Sequence, residues 1–404
     1  MRRIGLMVAV ALAGVLFGAL TVVAVQAPAV PEESGVPEVP VVAAAPLPAP
    51  AERILLVWGS GGVPADLADT LAALPGITST TVVAGDRVDL VESRNADGAV
   101  VGSWADGSVV PLDALAVHPV GYAALLPPSS AATFAGLREG EAVLGETSAR
   151  VRGIGAGGVL VTSSGVELRV AAVADDQDVA GAEVVVARAT APDVGIVTDR
   201  FVLLTYKGER AAVESAIRSA APDLTLRVRA PGETPFLRHG DAVLPQALLK
   251  ERFGEFSFRP PPADEREFEP DAAFEAANIV TAEVPLLGSV RCHRGIVDAL
   301  RGALEDLVAR GLAHLVDPTA FAGCHNPRLT APGGSVSHHA WGVGFDLNYD
   351  ANPTGVASVQ DPRLVETFER WGFTWGGFWL VPDPAHFEYR GPPELGTVKA
   401  RAAD

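Results

Sequence analysis

The string Ser337-His-His339-Ala-Trp-Gly342-Val-Gly344-Phe-Asp346 constrains this chain more than any other feature. A second string, Asp383-Pro-Ala-His386-Phe-Glu388, completes it. A catalytic zinc ion takes three protein ligands of nitrogen or oxygen type and keeps one position open. His339, Asp346 and His386 offer two imidazoles and one carboxylate, at intervals of 7 and 40 residues. A fold that uses them has to return the chain to one point. Asp383 adds a carboxylate suited to taking a proton from an attacking water. Six of the eight His lie after residue 290, and four of the six Trp (Trp341, Trp371, Trp375, Trp379) lie after residue 340. Imidazole and aromatic groups gathered in one segment point to a walled polar site.

The order Ser-x-His-x-x-Gly-x-Ala-x-Asp followed by Asp/Glu-x-x-His resembles the M15 metallopeptidases, the VanY and endolysin-type peptidases of peptidoglycan. Gly323-Cys324, Arg328, Asp346-Leu-Asn348 and Trp371-Gly-Phe-Thr-Trp375-Gly-Gly-Phe-Trp379 are similar to that family as well. The resemblance implies one Zn2+ held by His339, Asp346 and His386, with Asp383 as general base. It implies that Arg328 steadies the oxyanion. Gly344 departs from the family's usual Ala, and Asp383 stands where one branch has Glu. Asp at that place resembles the L-alanyl-D-glutamate endolysin branch, and Glu would resemble the D-Ala-D-Ala branch. The implied function is hydrolysis of peptidoglycan stem peptides. A D-Ala-D-Ala or L,D-carboxypeptidase that trims the terminal D-Ala is the alternative within enzymes. A non-catalytic wall-binding or regulatory membrane protein is the alternative outside them.

Other residues carry plainer readings. His338 competes with His339, but the interval to Asp346 favours His339. Glu388 is expected to order His386 rather than act as base. Asn348 and Asp350 suit a turn, and Trp379 either lines the cleft or packs in the core. His118, His239 and His314 receive no functional role. Cys292 and Cys324, with 31 residues between them, bracket an amphipathic helix marked by Ile296, Leu300, Leu304 and Leu307. In an exported chain a disulfide is expected of them. The rival is a Cys-His nucleophile pair, for which sequence adjacency is no evidence. There is no His-Glu-x-x-His zinc helix. A Ser-x-x-Lys serine centre is also excluded, because the residues three before the three Lys are Leu204, Ala247 and Gly396.

The N-terminus suggests the compartment. Arg2 and Arg3 precede an uncharged, mostly apolar run from Ile4 to Val25, 22 residues long. As a helix it would reach about 33 Å, enough to span a bilayer. It reads as a signal anchor over 1–26 with the bulk of the chain extracytoplasmic, on the cell-wall side. A cleavable signal peptide is the rival. Residues 27–51 are Pro, Ala, Val and Glu without period, a semi-extended tether.

Next comes a domain over 52–235. Arg53–Trp58, a helical spacing from Pro64 to Leu74, and Thr80–Ala84 predict β-α-β. The order recurs at Phe201–Tyr206, Glu209–Ala220 and Leu224–Val228, about 148 residues on. Such pairs build a split βαβ layer. The stretch from Pro111 to Gly158 is similar to the extracytoplasmic core domains of MacB-type permeases. That likeness implies a fold, and a possible contact with a membrane or wall protein. Gly153-Ile-Gly155-Ala-Gly-Gly158 matches a dinucleotide fingerprint by letter, but strand-like residues follow it, so no nucleotide is expected. Gly59-Ser-Gly-Gly62 reads as a turn.

The remaining boundaries are a connector at 236–275, the peptidase domain at 276–394 and a tail at 395–404. The fold class expected is α+β: a transmembrane helix, a βαβ and β-rich extracytoplasmic domain, and a zinc peptidase domain with a small antiparallel sheet. The net charge of −18, from 31 basic and 49 acidic residues, argues against nucleic acid and against a polybasic grip on lipid.

Overall fold

The computed structural model describes residues 53–242 and 244–392. The anchor 1–26, the tether 27–51 and the tail 395–404 lie outside the described residues. No helix among the described residues is long and apolar enough to cross a membrane.

The first β-α-β is β1 (Arg53–Gly59), the helix Leu67–Ala72 and β2 (Ile77–Arg94). The short strand β3 (Val100–Ser103) follows, and then β4 (Val110–Val117), β5 (Glu141–Gly145), β6 (Val159–Thr162), β7 (Glu167–Ala174) and β8 (Val184–Ala187). The second β-α-β is β9 (Asp199–Tyr206), the helix Arg210–Ala220 and β10 (Leu226–Arg229).

All ten strands join one sheet in the order β10-β1-β9-β2-β4-β8-β5-β7-β6, with β3 on β2. β1 lies between β10 and β9, and β9 lies between β1 and β2. The two units therefore interleave, as a split βαβ layer requires. Alternation along β1 explains the packing, since successive side chains leave opposite faces. Leu55 and Val57 meet Leu67, Leu71, Val213 and Ile217 under the two helices. Leu56 and Trp58 point into the other core, with Phe134 and Phe201.

β2 runs for 18 residues, roughly 60 Å if straight. It serves two layers. Ile77 to Ala84 pair with β9, Val83 to Leu90 with β4, and Leu90 to Arg94 with β6. The hand-over falls at Gly85, where a Cβ would lie 2.7 Å from the Leu115 side chain and 3.0 Å from the Ala114 carbonyl. Because β6 returns to β2, six strands close a ring around Val88, Leu90, Leu112, Leu144, Leu160 and Val186. Ahead of β6 the helix Glu146–Arg152 ends at Gly153, left-handed at φ 63°. Helix before and strand after is the reverse of a dinucleotide loop.

Residues 236–274 pack into a third core. Phe236, Leu249, Phe253, Phe256, Phe258 and Phe274 are buried in one cluster with Leu300, Leu304, Trp341, Phe345 and Phe387. The helix Gln246–Phe253 also reaches back to the large sheet. Its Lys250 is buried, 2.9 Å from Glu183, and Arg152 holds the same carboxylate at 2.6 Å.

Beyond it stand the hairpin β11 (Ile279–Val284) and β12 (Gly288–His293), and the helix Val297–Ala309. A three-stranded antiparallel sheet follows, β13 (Gly344–Asp346), β15 (His386–Tyr389) and β14 (Phe373–Trp375), in that spatial order. Cys292 on β12 is bonded to Cys324, with Cα atoms 4.9 Å apart. The α+β expectation holds as a large mixed sheet with small C-terminal sheets.

Candidate functional site

β13 and β15 are antiparallel, and Asp346 stands opposite His386. Directly opposed side chains share a face of the sheet, so the backbone alone brings these two residues together. His339 comes from the short turn His338–Trp341. The Ser337 hydroxyl accepts from the His339 N–H at its start, and Gly342 closes it in the left-handed region at φ 69°. Trp341 is fully buried and donates to the Gly254 carbonyl at 2.9 Å, which fixes the rotation of the turn.

Three donor atoms converge. His386 Nδ1 lies 2.8 Å from Asp346 Oδ1, His339 Nε2 lies 3.2 Å from His386 Nδ1, and His339 Nε2 lies 3.3 Å from Asp346 Oδ1. Zinc with nitrogen and oxygen ligands at about 2.0–2.1 Å spaces neighbouring ligand atoms by roughly 3.3 Å in a tetrahedron. Two ring nitrogens and a carboxylate oxygen are electron-pair donors crowded on one point, which suits a cation. The chemistry of the set fits a metal, and this is the group of three that can hold one among the described residues.

The electrostatics agree. Burial works against the Asp346 charge, but the two imidazoles outweigh it and hold the carboxyl below its usual range. Burial opposes a charged His386 too, yet Asp346 and Glu388 push its pKa up to about 10. Without a cation the cluster therefore keeps a proton, and a divalent ion competes for that place.

His338 stands outside the triad, with Nδ1 3.0 Å from Glu388 Oε1. The same Glu388 oxygen lies 3.2 Å from His386 Nε2. Glu388 thus orients the far side of the His386 ring, as its place two residues on suggested.

Arg328 reaches the other Asp346 oxygen at 3.6 Å. Its segment is tied to the His339 turn: the Ser337 N–H donates to the Arg328 carbonyl at 2.9 Å, and the Asn326 N–H donates to the His339 carbonyl at 3.1 Å. The disulfide anchors this segment to β12, so neither Cys is a nucleophile. The neighbouring imidazoles are engaged elsewhere, His293 with the Phe253 carbonyl at 3.1 Å and His325 with Glu275 at 2.9 Å.

Asp383 Oδ1 accepts from the Thr354 hydroxyl at 2.9 Å. Its turn is packed on Gly376, where a Cβ would lie 2.6 Å from the Asp383 carbonyl. Trp375 pins the same turn by donating to the Pro384 carbonyl at 2.8 Å. That is a physical reason for the Trp-Gly-Gly string. Trp379 lines the cleft, its ring 5.1 Å from that of His386.

Asp383, Arg328, His339 and His386 all border one cavity of about 650 Å³. Asp346 is joined to them through its contacts with both imidazoles. Ser337, His338, Trp379 and Glu388 border it too, and further residues arrive from outside the motif. Arg87 and Asp113 reach it from the large sheet, and Arg238, His239 and Asp241 from the segment after β10. His239, set aside in the sequence, therefore borders the site, whereas His118 and His314 do not. No motif marks these positions, since they meet only in the tertiary fold.

Residues 330–389 match the family model for D-alanyl-D-alanine carboxypeptidase, an M15 peptidase family. The M15 resemblance of the C-terminal third is borne out there. No curated protein matches the chain. Among solved structures, the periplasmic region of MacB from Actinobacillus actinomycetemcomitans is similar at 11% identity and a TM-score of 0.29, covering 44% of this chain and 88% of that one. The extracellular domain of the noncanonic ABC-type transporter YknZ from Gram-positive bacteria is similar at 10% identity and a TM-score of 0.30, covering 44% and 99%.

Proposed function

We propose that this chain is an extracytoplasmic zinc peptidase that hydrolyses the stem peptides of peptidoglycan. The observation that carries the reading is the convergence of His339, Asp346 and His386 within 3.3 Å of one another, inside the matched peptidase segment. These three residues hold the ion. When bound, it supplies a Lewis acid for the scissile carbonyl and lowers the pKa of water. Asp383 takes the proton of the attacking water and passes it to the leaving amine. The Thr354 hydroxyl holds one oxygen of that carboxylate, which leaves the other for the proton. Arg328 stabilises the developing oxyanion or fixes a substrate carboxylate. Glu388 keeps the His386 ring in its plane.

The disulfide supports an oxidising compartment, in keeping with the anchor read from Ile4–Val25. Contact of the 52–235 region with a membrane or wall protein is part of the same proposal. A terminal-D-Ala carboxypeptidase is the second reading, and the description of the matched family favours it. Mass spectrometry of muropeptides after incubation with the purified chain tests both, with and without a chelator. Chelator-sensitive loss of a single D-Ala selects the carboxypeptidase, and an internal cut selects the endopeptidase. No cleavage by protein that binds zinc one to one would sink the peptidase reading.

A further inference from the structure

Part of the cavity is built from outside the matched peptidase segment. The chain after β10 is fastened there by Arg229. Its Nη1 donates to the carbonyls of Arg238 at 2.9 Å and Gly240 at 2.5 Å, one on each side of His239. Its Nη2 donates to Asp241 Oδ1 at 2.7 Å. Asp241 Oδ2 in turn accepts from the Leu380 N–H at 2.5 Å, beside Trp379. This segment is held both by the large sheet and by the loop that leads to the Asp383 turn.

Arg238 borders the cavity on that fixed segment. It donates to the Ala242 carbonyl at 3.0 Å and forms no ion pair among the described residues. Burial disfavours its charge, and Asp113, Glu388 and Asp241 offset this only in part, so its pKa is lowered. His239 beside it is pushed down to about 3 by burial and by the guanidiniums of Arg238, Arg200 and Arg229. It is neutral at neutral pH and adds no charge of its own to the cavity. Arg266 and Arg328 border the same cavity. Asp113, Asp241, Asp383 and Glu388 border the cavity too, but none of them is in ion-pair contact with Arg238, whose guanidinium is therefore open to an arriving anion. The substrate of a carboxypeptidase ends in a carboxylate, and Arg pairs with that group through two parallel hydrogen bonds.

We propose that Arg238 is a substrate-binding residue that takes a free carboxylate of the peptide, so that a segment outside the peptidase motif selects which peptides enter. The identity of the ligand rests on the peptidase reading above. The chemistry required is a carboxylate, either the C-terminal one or one on a side chain.

Calorimetric titration of the full chain, stripped of metal, tests the site apart from catalysis. The probes are a stem peptide ending in D-alanyl-D-alanine, its C-terminal amide, and an analogue with the side-chain carboxylates amidated. One amide is expected to bind about 10- to 100-fold more weakly than the free acid, the size of a lost charge-assisted hydrogen bond. Which amide it is names the carboxylate. Arg238→Gln should erase that gap, and Arg238→Lys should keep part of it. The idea is overturned if the three peptides bind alike to the wild type, if none binds, or if the gap survives Arg238→Gln and disappears in Arg328→Gln. Cleavage by the metal-loaded protein is scored separately. Its failure would remove the peptidase reading and leave the binding result standing.

Discussion

Two parts of one cavity differ in how they are encoded. The metal-binding part comes from short elements close in sequence: a turn, β13 and β15. The other part comes from β2, β4 and the segment after β10, which lie about 145 to 300 residues before His386. Metal ligation sets residue types and intervals together, so it leaves a string. Binding a peptide needs only charge and shape at a surface, and any element the fold delivers will serve. Chemistry is therefore readable in one stretch, whereas selectivity is dispersed and silent until the chain is folded.

The largest effects should separate the roles inside the metal-binding part. His386→Ala should lose the ion and, with it, turnover. Asp383→Ala should keep the ion at one per chain but lower turnover about 100- to 10,000-fold, the range for a positioned proton acceptor. Metal content by emission spectrometry, set against peptide cleavage, checks the split. Full activity in Asp383→Ala would remove that residue from the reaction.

The next effect concerns the joint that carries the other part. Glu183 lies buried between Lys250 and Arg152. Burial opposes its charge, but the two cations outweigh it and bring its pKa down to about 2 from 4.5. Lys250→Met should cost about 3–5 kcal/mol at neutral pH, because a partner of a buried charge is removed. The folded pKa is the lower one, so the stability from ionised Glu183 is complete above pH 4.5 and is lost as the pH falls toward 2. Urea melts across that window should show the wild type and the variant drawing together. A constant gap would mean that Lys250 acts through packing alone.

The disulfide plays the matching part beneath the metal ligands. Replacing both Cys292 and Cys324 by Ser should cost about 2–5 kcal/mol. It should also weaken zinc affinity, because the segment through Asn326 and Arg328 braces the His339 turn. Thermal melts together with zinc titration test this. Lower stability with unchanged affinity would show that the triad is braced by its own small sheet.

The two interleaved β-α-β units were legible in the sequence, because the apolar run at Leu55–Val57 and the helical spacing at Leu67 and Leu71 are local signals. The triad was legible for the same reason. The sequence did not disclose that β2 serves two layers, since the hand-over at Gly85 leaves no room for a side chain against Leu115, a strand away. Nor did it disclose that residues from Phe236 to Phe274 pack into the third core. Proline and charged residues between those aromatics made the stretch read as a connector, yet the Phe256 ring centre lies 5.0 Å from that of Phe274 and 4.7 Å from that of Trp341. Arg238 had no local signal at all, because its surroundings come from β10 and from the loop at Leu380.

The smallest effect tests how rigid the encoded part is. Gly344 stands where the resembled family usually has Ala. A Cβ there would lie 3.0 Å from His386 Cε1 and 3.4 Å from Nε2. The ring would have to give by a few tenths of an ångström, against its contact with Glu388. Gly344→Ala should therefore lower zinc affinity by less than about tenfold, equivalent to roughly 1 kcal/mol of overpacking. Competition titration with a chelating dye reads this directly. A hundredfold loss would mean that the His386 ring has no freedom, because Glu388, Trp379 and the Asp383 turn hold it together. The small glycine would then be a requirement of this chain's own site. An unchanged affinity would mean that the ring settles wherever the ion places it, and that the precision of the site lies in Asp346 and His339.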